Sequence, residues 1–225
     1  MDYLVYSLVA PAILIVMLLV LARTWRFRAN RQAELLLVAI LAAGGWLTVN
    51  YLELVVKAPE AKLMFAKGGY LFSGGFCALW VLFALRYTRL DRLITPLRLV
   101  LLLIPWGAGI ILAFSNDAHH LIWKSHTVMD VGYGLNALRI QQYGAAFYPL
   151  MLGYYLLLIG GFCLILIKFL RSSPLFRRQT IWILTGVLVP IALNLIYLLR
   201  IIPGFNKDYT AAGFGVGVSL LVVAI

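Results

Sequence analysis

Apolar runs of about twenty residues, separated by short polar segments, organise the chain from end to end. Seven stand out: about Leu4–Ala22, Leu35–Val56, Leu63–Leu85, Leu97–Phe114, Ala145–Ile167, Ile181–Leu199 and Tyr209–Ile225. The runs are continuous, whereas barrel strands would alternate apolar and polar residues, so they predict transmembrane helices. The fold class is therefore all-α: a seven-transmembrane-helix bundle forming one domain over residues 1–225. MDYLVYSLVAPAILIVMLLVLA is a first span that stays, since it lacks a basic leader and is longer than a signal-peptide core. The last run reaches Ile225 with no polar residue after it, so a cytoplasmic output region is expected to follow.

Composition strengthens the membrane reading. Hydrophobic residues make up 64% of the chain, against about 45–50% in soluble domains. The formal net charge of +11 sits between the apolar runs, where it sets topology and does not call for nucleic acid. RTWRFRANR, RYTRLDRLITPLR and KFLRSSPLFRRQ carry most of the arginines, while the less basic alternate segments hold Glu60, Asp117, Asp130 and Asp208. Positive-inside bias then puts the N-terminus outside and the C-terminus in the cytoplasm. The basic segment Lys168–Arg178 suits anionic lipid. Cys77 and Cys163 read as small packing residues inside spans.

Ionisable residues inside spans are costly and mark functional positions. Glu53 and Lys67 lie at matching depths in two spans joined by a short turn, which predicts an ion pair between them. Register fixing or snorkelling is the plainer reading of these charges. Trp46, Asn50 and Glu53 share one helical face, and Lys67, Tyr70 and Gly74 share another. Pro190, Asn194 and Tyr197 share a face of the sixth run, where Pro190 predicts a kink and Asn194 an interhelical hydrogen bond. Asp208 reads as a helix cap.

The 115–144 segment is the only long connection, and it holds all three histidines, His119, His120 and His126. Their spacing does not fit a helical metal site, so neither a metal nor a cofactor is assigned. No catalytic set is assigned either. Asn116 or Asp117 is expected to cap a short helix from Ala118, laying His119, His120 and Trp123 over the bundle mouth as a lid. A histidine there would add pH sensitivity. No lysine occupies the last run, which excludes a retinal Schiff base, and phosphate-cradling glycine motifs are missing.

Three stretches resemble a known family. NYLELVVKAPEAKLMFAKGGYLFSGGFCALWVLFALRYT resembles the second and third spans of the bacterial N-terminal seven-helix sensor region of histidine kinases. SNDAHHLIW looks like that family's Thr-Asn-x-x-His-His-Leu-x-Trp signature, with Ser115 in place of Thr. KFLRSSPLFRRQTIWILTGVLVPIALNLIYLL is similar to its fifth-to-sixth segment. The resemblance implies a sensory module of the bacterial inner membrane, followed by a histidine kinase or diguanylate cyclase region that acts as a homodimer. It favours Glu53, Lys67, His119, His120, Trp123 and Asn194 as site residues. The expected ligand is small or lipid-like, and the chain itself is not expected to be an enzyme. The alternatives are a small seven-helix transporter or channel, and a purely structural membrane anchor.

Overall fold

In the computed structural model, residues 2–26, 31–198, 201 and 207–224 are described, with side chains 31–33, 174–176, 178–179, 198 and 221–224 set aside. The expected span ends at Leu199 and Ile225, and the Arg178 side chain of the expected lipid-facing segment, lie outside these.

The helices are α1 (Asp2–Trp25), α2 (Arg31–Val55), α3 (Pro59–Tyr87), α4 (Pro96–Phe114), α5 (Asn116–His119), α6 (Phe147–Leu170), α7 (Pro174–Leu198) and α8 (Thr210–Ala224). Six of them are long and apolar enough to cross a membrane, and α8 is a shorter apolar helix. Proline opens α3, α4 and α7, at the helix position where a missing N–H costs nothing. Thr95 caps α4 by accepting the Arg98 N–H at 3.4 Å.

α3 packs on α2, α4 and α6, while α8 packs on α1, α2 and α7. Half of the most apolar window of α3 is buried (50%), against 11% for α4, so α3 is the inner helix and α4 a peripheral one. Aromatic rings run along the interior: Phe76 and Trp46 meet Phe214 of α8, at 4.4 and 5.4 Å between ring centroids. Trp80 donates to the Leu158 carbonyl at 3.1 Å, which gives a buried indole N–H its partner. α7 and α8 cross so closely that a Cβ on Gly217 would lie 1.9 Å from the Gly186 oxygen. Only paired small residues permit that approach. α7 continues through Pro190 to Leu198 as one helix. Cys77 is buried as expected, but Cys163 is exposed, since it turns away from the Leu158–Gly161–Ile165 face that α6 buries.

The largest departure from an all-α bundle is the 115–144 segment. It holds a two-stranded antiparallel hairpin, β1 (Trp123–Gly132) and β2 (Leu135–Tyr143). Gly132 pairs with Leu135 around the two-residue turn Tyr133–Gly134, whose φ angles are +58° and +73°. Positive φ at both turn positions matches the right-handed twist of the flanking strands. The expected capped helix from Ala118 is a single turn, Asn116–His119, that starts at Asn116 itself and has no side-chain cap.

Candidate functional site

The polar side chains of the bundle gather at the end where the 56–58 turn joins α2 to α3, beneath the hairpin. Their pairing differs from the expected one: Glu53 and Lys67 do not pair. Glu53 accepts the Leu138 N–H of β2 at 2.6 Å through Oε1, and its Oε2 lies 3.3 Å from the Lys207 ammonium. Lys67 instead pairs with Asp117 of α5 at 2.7 Å. Helical rotation explains the exchange. Lys62 and Lys67 are five residues apart, about 140° around α3 at 100° per residue. Lys62 therefore faces α2 and the hairpin, and Lys67 faces α5.

Lys62 is 0% exposed. Its ammonium donates to the main-chain carbonyls of Glu53 at 2.5 Å, Leu54 at 3.5 Å and Asn136 of β2 at 2.6 Å. The first two carbonyls lie in the last turn of α2, where helix carbonyls lack helical partners. Asn136 and Leu138 are two apart on β2, so their main-chain groups point to the same strand edge, the one away from β1. Glu53 and Lys62 together occupy that edge.

Lys207 ties this cluster to the start of α8. Its ammonium lies 4.9 Å from the Tyr6 ring centroid, and its N–H donates to Asp2 Oδ2 at 3.0 Å. The Tyr209 hydroxyl donates to the Asp2 carbonyl at 2.6 Å. The beginnings of α1 and α8, the end of α2 and β2 thus meet around Glu53 and Lys207.

Beside it, Asn116 is buried and holds the hairpin root. Its Oδ1 accepts from the N–H groups of Ile122 and Trp123 at 2.8 and 3.1 Å, and its Nδ2 donates to the Trp123 carbonyl at 3.0 Å. Asn116 was expected to cap a helix; it fastens a strand. Trp123 is buried edge-on against Tyr70, at 5.6 Å. His119 Nδ1 accepts the Leu121 N–H at 3.0 Å, which leaves Nε2 as donor to Ser115 Oγ at 3.0 Å when the ring is neutral. His120 is exposed and terminates α5 in the left-handed region at φ +54°. His126 lies on β1, exposed. Among the described residues, no three His, Cys, Asp or Glu side chains gather as a metal site would need. At the far end of β2, Tyr143 stacks on Phe147 at 3.8 Å.

A third group links α6, α7 and α8. Asn194 Oδ1 accepts from the Tyr155 hydroxyl, and Asn194 Nδ2 donates to Thr210 Oγ1 at 2.9 Å. Asp208 Oδ1 in turn accepts from the Thr210 hydroxyl and from the Thr210 N–H, the latter at 2.8 Å. The cap and the interhelical bond foreseen for these residues are therefore one continuous chain. Tyr197 is half-buried near the end of α7. Trp46 packs into the bundle, whereas Asn50 turns back to its own helix and donates to the Trp46 carbonyl at 3.0 Å.

The family model describing the N-terminal 7TM region of histidine kinase matches residues 7–225. The chain belongs to that family. The histidine-kinase 7TM region is a membrane sensor region, and the match covers the hairpin and the helices that hold the site, except for the first turn of α1 with Asp2 and Tyr6. The comparison with curated proteins matched none of them. Within this 7TM region, five contributors to the site escaped sequence reasoning: Lys62, Lys207, Asn116 as a strand anchor, Tyr155 and Thr210. Lys62 reads as a boundary lysine until a strand is known to cover it. Lys207 precedes its helix without any periodic pattern to place it.

Proposed function

We propose that this 7TM region is the sensory module of a bacterial signal-transduction protein in the inner membrane, and that the hairpin reports to α8. In this reading the hairpin lies outside, α8 is the seventh span, and a homodimeric cytoplasmic histidine kinase or diguanylate cyclase region receives the signal. A small or lipid-like ligand arrives from the outer side. It binds differently to two positions of the hairpin and shifts their populations. Anionic headgroups gather beside Lys168–Arg178 on the opposite face.

One carboxylate carries the reading. Glu53 holds β2 through the Leu138 N–H and holds the approach to α8 through Lys207. A hairpin displacement that frees the Leu138 N–H changes what the Glu53–Lys207 pair can reach, and Lys207 stands three residues before α8 begins. Glu53→Gln keeps an acceptor for Leu138 but removes the charge facing Lys207. The full-length protein carrying it should show output activity shifted severalfold from wild type, in the absence of stimulus. Lys67→Met should shift it less, because its partner Asp117 is 68% exposed and the pair is screened. Unchanged basal and stimulated output in both variants would overturn the relay.

A further inference from the structure

The opposite end of the bundle holds a groove that the sensory reading does not use. It lies between the last turns of α3, the turn at Asp91–Leu93 and the first turns of α4, with a volume of about 310 Å³. That is the low end of the roughly 300–1,000 Å³ range of small-molecule sites. Leu82, Leu85, Ile94, Leu99 and Leu102 form much of its wall, and Arg98 is its only charged residue. α3 ends and α4 begins at the same end of the bundle, so the groove has a direction. From Leu85 to Val81, and from Arg98 to Leu102, it runs about 6 Å into the apolar zone at 1.5 Å per residue. Arg98 stands at the mouth and aliphatic side chains line the depth.

We propose that this groove binds one anionic phospholipid, with an acyl chain between α3 and α4 and the phosphate on Arg98. Polarity and charge carry the assignment. The groove is charged at the interface and apolar below it, which is the order of groups in a phospholipid. Residues 86–98 place Arg86, Arg89, Arg92 and Arg98 against a single carboxylate, Asp91, so a net negative headgroup is favoured over a zwitterionic one. Arg98 is free to receive it. Its guanidinium has five N–H donors, and its side chain is exposed, with one long contact to the Leu93 carbonyl at 3.5 Å. On the other face of α4, Leu97, Val100, Leu101 and Ile104 are all exposed on a helix that buries little of itself, as a lipid-facing wall does.

Native mass spectrometry of the full chain, released from nanodiscs of equal phosphatidylglycerol and phosphatidylcholine, tests this. Wild type should retain one phosphatidylglycerol in clear preference. Arg98→Gln should lower that preference about fivefold, the weight of one interfacial arginine. Leu82→Trp should expel the lipid with Arg98 still present, and Leu99→Phe provides a milder filling if Leu82→Trp folds poorly by circular dichroism. Equal retention of both lipids, or undiminished phosphatidylglycerol in both Arg98→Gln and a folded filling variant, would overturn the proposal. So would displacement by free glycerol phosphate, which would mean that the headgroup alone binds. A dimer abolished by Leu82→Trp would overturn it too, by making the groove a contact between copies of the chain.

Discussion

The two ends of the bundle handle charge in opposite ways. At the hairpin end, Glu53, Lys62, Lys67 and Lys207 are all buried, and each has a short list of fixed partners. At the arginine end, Arg89, Arg92 and Arg98 are exposed. A buried charge must be held by hydrogen bonds and opposite charge, and removing one partner strands the other. An exposed charge stays solvated and contributes little to stability. Positional precision therefore belongs to the hairpin end, while the arginine end leaves its charges to the surroundings. At the hairpin end, fixed contacts tie one element to another.

The sharpest break in this contrast is Lys62→Met. The stem is preserved and the ammonium is lost, which leaves the carbonyls of Glu53, Leu54 and Asn136 without their donor. Buried acceptors left unpaired cost about 1–3 kcal/mol each where no water reaches them. A loss of about 3 kcal/mol is expected, roughly 6–12 °C in thermal unfolding of the purified protein. Cleavage at Lys124 or Arg139 by trypsin should accelerate alongside, because β2 loses one of its two hydrogen bonds to side chains of α2 and α3. A melting temperature within 1–2 °C of wild type would mean that Lys62 is only covered, not used.

Asn116→Ala comes next. One amide serves three main-chain groups at the hairpin root, and the neighbouring Trp123 packs on Tyr70. Leaving those groups without partners should cost about 1–3 kcal/mol. Asn116→Asp separates the contributions. Its oxygen still accepts from Ile122 and Trp123, but the donor to the Trp123 carbonyl is gone, so the melting temperature should fall between those of wild type and Asn116→Ala. If Asn116→Asp falls as far as alanine, the acceptor side is not what fastens the strand.

How much of this was legible beforehand depends on what each element must satisfy. Lipid demands unbroken apolar runs, so α1 to α4, α6 and α7 were legible to within several residues, and the hairpin region stood out as the one long connection. Within that connection, VGYGL is a turn signal between two runs of strand-forming residues. Ahead of it in the chain, Asn116 and Asp117 read as a helix start instead. Depth was more legible than pairing. Depth along a helix can be counted, which put Glu53 and Lys67 at one level. Partner choice depends on rotation and on what covers the end, and there Lys62, β2 and Lys207 intervene. Asn194 and Asp208 were recognisable singly, but Tyr155 and Thr210, which join them into one chain, carry no signal in a run of tyrosines and a helix start.

The smallest effect is expected at the arginine end, from Arg92→Gln. Arg92 is exposed in the short turn between α3 and α4, where water and headgroups can replace any contact it makes. Substitutions of this kind stay within about 0.5 kcal/mol, which is roughly 1–2 °C for a chain of this size. Orientation should also hold, since Arg86, Arg89 and Arg98 remain in the same segment to bias it. Thermal unfolding beside Lys62→Met and Asn116→Ala makes the measurement. A drop at Arg92 as large as that at Asn116 would show the arginine end to be built on specific contacts as well, and the division of labour between the two ends would fail.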